Sequence, residues 1–257
     1  MNHLHLASSK MPCLHQPTPI TPFQFSRHLK FFALTLILCC PAAVAVCQET
    51  ESDDDEGWVE LFNGKDTSGW NNPYEWGEVK VVDNEIQLTA SRKFFLVTDE
   101  KFDDFVFEGE VMIPEGKANS GFMFRCHAEK NKVFGYQAEC DGSDRRWSGG
   151  LYDEGRRGWI WPSLKGRTKE EKFLAHAQES QAFFKQEEVA GALDRDGWNK
   201  YRITCRGDSI KIEVNGVVTT EIKDDLDASG YIAVQHHGEK GQTYRFRNLR
   251  IKELSSE

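Results

Sequence analysis

Glu139 and Asp141 stand two apart in "GYQAECD", and residues two apart on a strand project from one face. Neighbouring carboxyl groups divide their titration, so one can carry a proton while the other stays ionised. That is what general acid–base chemistry needs. Gln137 shares their parity. Arg125, in "SGFMFRC" on the strand before, can pair with either carboxylate or bind a substrate oxygen. A surface salt-bridge cluster would use the same residue types. The loop that follows favours a site: "SGGLYDEGRRGWIWP" offers Tyr152, Asp153, Glu154, Arg156, Arg157 and Trp159 beside a glycine run. Aromatic faces stack on sugar C–H surfaces, while carboxylates and guanidinium groups bond hydroxyls. A rigid turn anchored on tryptophan is the plainer reading. In "VQHHG", His236 shares parity with Ile232 and Val234, so His237 and Gln235 face the other way. His237 is a candidate acid or base near neutral pH.

These residues need strands to hold them. From Trp58 onward the sequence breaks into short β-branched and aromatic runs separated by Gly, Asn or Asp. Asn215-Gly216 suits a tight type I′ hairpin, and Asp83-Asn84 reads as a similar turn. Many antiparallel strands over some two hundred residues predict an all-β fold of two packed sheets, a sandwich or jelly roll. Phe122, Phe124 and Cys126 should face the core with Tyr136, Ala138 and Cys140, leaving Arg125, Gln137, Glu139 and Asp141 on the outer surface. In a simple hairpin Cys126 lies opposite Phe134 and Cys140 opposite Ser120. The two sulfurs are then roughly 20 Å apart at about 3.3 Å per residue, so buried free thiols are expected at Cys126, Cys140 and Cys205. The segment from Thr168 to Leu193 is rich in helix formers, with Phe173, Leu174, Ala177, Phe183 and Phe184 near helical spacing. It predicts one helix or two short ones inserted against the sandwich edge, as packing or as a lid.

The 257 residues carry a net charge of −9. An acidic chain argues against nucleic acid and anionic membrane surfaces as partners. Arg27 and Lys30 precede the apolar run "FFALTLILCC", followed by the A-x-A site Ala43-Val44-Ala45. Residues 1–45 therefore read as a signal peptide, for a periplasmic or secreted product without a stable membrane span. A lipoprotein at Cys47 and an uncleaved anchor are the alternatives. Residues 46–57 form an acidic linker, and the domain proper covers 58–254. The cysteine spacing matches no zinc pattern. There is no P-loop, dinucleotide fingerprint, G-x-S-x-G elbow, H-E-x-x-H or EF-hand.

Taken together, "ELFNGKDTSGW", "NSGFMFR", "GYQAECD", "GGLYDEGRRGW", "WNKYRITCRGDSIKIEVNGV" and "AVQHHG" with "YRFRNLRIKEL" resemble the DUF1080 family, the 3-keto-disaccharide hydrolase domain. The resemblance spans nearly the whole domain. It implies a concanavalin A-like jelly roll, export, and action on sugars whose C3 hydroxyl has been oxidised to a ketone. A C3 ketone acidifies the C2 proton, so a base can remove it and the C1 substituent can leave by elimination, with water adding afterwards. That route needs a base, an oxyanion stabiliser and an acid. Under this reading His237 or Glu139 is the base, Arg125 and Arg157 polarise the ketone, and Asp141 orients or protonates. No cofactor is assigned, and a divalent metal held by Glu139, Asp141 and His237 is left open. Two rivals remain. A lectin-like binding module would use the same surface without catalysis. A retaining jelly-roll glycosidase would use Glu139 and Asp141 with Asp144, at carboxylate separations of about 5 Å.

Overall fold

The computed structural model describes residues 56–255. The signal peptide, its cleavage site, Cys47 and the linker up to residue 55 lie outside the described residues. The strands are β1 (Trp58–Glu60), β2 (Trp70–Asn71), β3 (Glu78–Val82), β4 (Glu85–Thr89), β5 (Phe94–Phe102), β6 (Phe105–Met112), β7 (Asn119–Glu129), β8 (Lys132–Asp141), β9 (Leu151–Glu154) and β10 (Gly158–Trp161). Three short helices follow, α1 (Glu171–Leu174), α2 (Ala177–Phe183) and α3 (Glu187–Ala190). Then come β11 (Asn199–Arg206), β12 (Ser209–Val214), β13 (Val217–Lys223), β14 (Gly230–His236) and β15 (Thr243–Glu253).

They form two sheets whose ladders are all antiparallel. One runs β13-β12-β11-β6-β15-β4-β3, with β1 also on β15; the other runs β10-β9-β8-β7-β14-β5-β2. This is the predicted jelly-roll sandwich. Both tight turns form: Asp83, Asn84, Asn215 and Gly216 all have positive φ, as a type I′ turn demands. Alternation fills the space between the sheets, where Phe107, Tyr201 and Phe246 each touch the ring of Phe122, at centroid distances of 5.4, 5.2 and 5.7 Å. No helix among the described residues is long and apolar enough to cross a membrane.

The insertion folds as three short helices rather than one or two. It lies on the sandwich edge, where Phe183 meets Trp161 of β10 with ring centroids 6.2 Å apart and α3 packs on β13. Phe173, Phe184 and Val189 are buried there.

The simple hairpin between β7 and β8 holds only at one end. Ser120 pairs with Cys140 as expected, but the register shifts between Phe124 and His127, so that His127 rather than Cys126 opposes Phe134. Arg125 takes φ 45° at this bulge. Glycines on both neighbouring strands make room. A Cβ on Gly135 would stand 2.9 Å from Cys126 Cα, and one on Gly230 would stand 2.3 Å from the Arg125 carbonyl carbon. The extra residue reverses the facing of everything beside it. Arg125 turns inward, and Cys126 joins a separate apolar cluster with Phe95, Val97, Met123 and Ala233. Cys126, Cys140 and Cys205 are buried free thiols.

Candidate active site

The outer face of the second sheet carries a cleft of about 330 Å³. Its floor is built from alternate residues of the central strands: Asn119 of β7, Gln137 and Glu139 of β8, and Gln235 of β14. Tyr152 and Glu154 of β9, Trp159 of β10 and Arg167 line one side; Lys93, His237 and Glu239 line another. Lys117 and Arg145 complete it.

Glu139 is 5% exposed. Asn119 Nδ2 donates to its Oε1 at 2.5 Å and Gln137 Nε2 to its Oε2 at 2.9 Å. Gln137 is itself steadied by Gln235, whose Nε2 donates to Gln137 Oε1 at 3.3 Å. Arg145 lies 3.5 Å from Oε1. Burial pushes the Glu139 carboxyl up to about 7, against the lowering influence of Asn119, Arg145 and Gln137 and with the help of nearby Asp141. A carboxyl that titrates near neutrality, with both oxygens held by amide donors, is poised to exchange a proton with a bound molecule.

Asp141 has a different task. Its carboxylate accepts from the backbone N–H of Ser143 at 3.0 Å and of Trp147 at 3.1 Å, and from Arg145 Nε at 2.8 Å. It thereby ties down the loop between β8 and β9. Burial opposes its ionisation, but the bonds from Arg145 and Ser143 hold the carboxyl below the ordinary range. Arg145, so anchored, stacks 4.8 Å from the Trp147 ring centroid and 4.7 Å from that of Trp159. The carboxylate pair is thus bridged by Arg145, with Glu139 facing the cleft and Asp141 organising the loop.

On another wall, His237 Nδ1 lies 2.7 Å from Glu239 Oε1. Tyr244 donates its phenol proton to the second Glu239 oxygen at 2.7 Å. His236 is buried against Phe94 and Tyr244 while His237 lines the cleft, as alternation predicts. Across the cleft Lys93 pairs with Glu154 at 2.5 Å.

Residues 57–252 match the family described as the 3-keto-alpha-glucoside-1,2-lyase-like domain. The chain belongs to this family. No curated protein matches it in sequence. Among solved structures, the carbohydrate-binding module CBM66 from Bacillus subtilis is similar, with TM-score 0.51, 16% identity, and 72% of this chain and 96% of that one covered. A protein with a galectin-like fold from Bacillus subtilis has TM-score 0.52 at 11% identity, covering 76% and 94%. A candidate glycosyl hydrolase from Parabacteroides distasonis has TM-score 0.50 at 20% identity, covering 80% and 98%. At these identities the likeness concerns the fold, which hosts binders and enzymes alike.

In this lyase-like domain the cleft gathers Gln137, Glu139, Tyr152, Glu154, Trp159 and His237 of the residues singled out from sequence. Five others lie elsewhere, Asp141 among them, its carboxylate spent on the loop after β8. Arg125 is fully buried, and its guanidinium donates to the carbonyls of Asp103 at 2.8 Å, Gly207 at 2.7 Å and Asp227 at 3.3 Å, and to Asp104 Oδ1 at 2.7 Å. The bulge explains this placement. Asp153 points to the opposite side of β9 from Tyr152 and Glu154, and pairs with Arg156 at 2.7 Å and with Arg157. Arg156 continues to Asp227, and Arg157 to Asp224 at 3.0 Å and Glu170 at 2.8 Å. This interior network fastens the β9–β10 turn to the segment after β13 and to the insertion. Asp144 is 94% exposed and lies beyond the end of β8, outside the cleft. Glu139, Asp141 and His237 do not converge, and among the described residues no three His, Cys, Asp or Glu side chains are grouped to hold a metal ion.

Asn119, Arg145, Glu239, Lys93, Lys117 and Arg167 were not anticipated. For Asn119 the signal was present, since it shares parity with Gly121 and Met123 on the outward side of β7.

Proposed function

We propose that the cleft binds a 3-keto-glycoside and cleaves it by elimination followed by hydration. The observation that carries this reading is Glu139: buried in the floor of a polar cleft, gripped by two amides, and titrating near neutrality. Membership of the lyase-like family supports the same substrate class.

The ionised Glu139 carboxylate takes the C2 proton. The electron pair of that C–H bond moves toward the C3 ketone, whose oxygen gains negative charge as an enolate. Arg145, packed against two indoles beside Glu139, supplies positive charge in the place expected of Arg125. Collapse of the enolate forms the C1–C2 double bond and expels the C1 oxygen with the aglycone. Water then adds across that double bond, hydroxyl to C1 and proton to C2, and yields the free 3-keto-sugar. Tyr152, half-buried on the cleft wall, offers an apolar face that a pyranose ring stacks upon, while Trp159, 3% exposed, backs Arg145. Read as a leader, residues 1–45 support action outside the cytoplasm, which N-terminal sequencing of the exported protein checks.

Quenched-flow mass spectrometry with 3-keto-glycosides of both anomers tests the route. A transient 3-keto-sugar lighter than the final product by one water is expected before that product accumulates. Sugar that is bound but never cleaved would make the domain a lectin-like module instead.

A further inference from the structure

Elimination leaves one requirement open: the departing C1 oxygen needs a proton. Glu139 cannot give it while acting as base. Lys93 and Glu154 neutralise each other at 2.5 Å, and burial pushes the Tyr152 phenol up, which makes it a poor acid. Lys117 is 80% exposed and reaches out to Asp144 at 4.0 Å. His237 is a further proton carrier lining the cleft, and it is not held loosely. Its Nδ1 lies 2.7 Å from Glu239 Oε1, and the other oxygen of Glu239 accepts the Tyr244 phenol at 2.7 Å. Burial and the Glu239 charge push that phenol up, so it keeps its proton and donates. Glu239 is therefore fixed at both oxygens. It fixes in turn a proton on His237 Nδ1, leaving Nε2 as the nitrogen available to a ligand.

The Tyr244 oxygen also accepts the backbone N–H of Asn119 at 3.3 Å. Asn119 is the residue whose side chain grips Glu139. Both proton-handling groups are thus referenced to one rigid point, the N-terminal end of β7.

Resting on the keto-glycoside reading, we infer that His237 is the acid that protonates the leaving oxygen from Nε2, with Glu239 and Tyr244 as its positioning residues. In the first half-reaction Glu139 gains the C2 proton and the His237 imidazolium loses its Nε2 proton to the aglycone. In the second, neutral His237 takes a proton from the water attacking C1, and protonated Glu139 returns one to C2. Both groups end as they began, and the net change is addition of one water across the glycosidic bond.

The test compares leaving groups. Methyl and 4-nitrophenyl 3-keto-glucosides are given to the purified wild-type protein and to Glu239→Gln, His237→Gln and Tyr244→Phe. Nitrophenolate departs without an acid and methoxide does not. The inference predicts that His237→Gln and Glu239→Gln lose about 10²–10⁴-fold in kcat/KM on the methyl substrate but less than about tenfold on the nitrophenyl one. Tyr244→Phe should show the same bias, less strongly. Glu239→Gln is isosteric on a surface loop, so an unchanged thermal midpoint certifies its fold. Equal losses on both substrates, or no loss on either, would overturn the acid role while leaving the keto-glycoside reading intact. A wild-type protein that cleaves neither substrate would overturn both.

Discussion

Asn119 Nδ2 reaches Glu139 Oε1 at 2.5 Å, from one strand to the next across the floor of the cleft. With Gln137 on the other oxygen, the carboxyl is held in one orientation, and the two amides offset part of the burial that disfavours its ionised form. Glu139→Gln keeps the shape and removes the base. Turnover of a keto-glycoside should fall by about 10²–10⁴-fold, with circular dichroism and melting behaviour retained. Asn119→Ala should lower the rate less, because Gln137 and Arg145 remain.

The elevated titration of Glu139 has a signature in stability. Its folded value of about 7 lies above the ordinary value of 4.5. The protonated carboxyl is therefore favoured in the fold. Its stabilising share is full below the unfolded value and is lost as pH rises through about 7, a change of about 3 kcal/mol. Other buried carboxylates such as Asp141 and Asp224 are held low and act in the opposite direction at acid pH, so the comparison must be with Glu139→Gln. Urea unfolding at pH 4.5 and pH 8 should find the variant gaining on wild type by that amount between the two. A constant difference would place the carboxyl's titration elsewhere. On the 4-nitrophenyl substrate, whose leaving group needs no acid, activity should follow the other form, rising with pH through about 7 as the base ionises.

Gly121 faces Glu139 across the ladder and has no room for a side chain. A Cβ there would stand 2.7 Å from the Ala138 carbonyl oxygen and 2.7 Å from Gln137 Cγ. Gly121→Ala should push the Gln137 amide off Glu139. We expect a rate loss of at least about tenfold together with some destabilisation, of the order of 1–3 kcal/mol for overpacking. Steady-state kinetics on the folded fraction separates the two effects.

Arg125 should behave as a structural residue. Removing it takes away the ion pair of Asp104 and the donors to three carbonyls, that of Asp227 fully buried. Arg125→Met is expected to cost about 3–5 kcal/mol while kcat/KM per folded molecule stays within about threefold of wild type. A large catalytic defect in a stable protein would return Arg125 to the reaction.

Much of this was legible in the sequence. Alternation placed Gln137, Glu139 and His237 on one outer face and His236 in the core, because a strand's period of two leaves no freedom once one face is buried. The two type I′ turns were fixed by residues that tolerate positive φ. What alternation could not supply was the bulge at Arg125, which reversed the facing of Arg125 and Cys126. Its trace was indirect: Gly135 and Gly230 are far apart in the chain and become informative only when their strands flank β7. Parity alone also placed Asp141 beside Glu139 without revealing that the next loop would claim its carboxylate. The basic residues of the "DRRW" stretch and the Glu239 that follows His237 by two were equally visible, but loop residues have no period, and their direction is set by what they bind. The ion network of Asp153, Arg156 and Arg157 was misplaced because a short strand was read as an open loop.

The measurement that bears most directly on the central claim is release of free 3-keto-sugar and aglycone from matched pairs of glycosides, oxidised and unoxidised at C3, by wild type and Glu139→Gln. The account predicts cleavage of the keto-glycoside alone, abolished or nearly so in the variant. Cleavage of the unoxidised partner at a comparable rate, or full activity in Glu139→Gln, would contradict it.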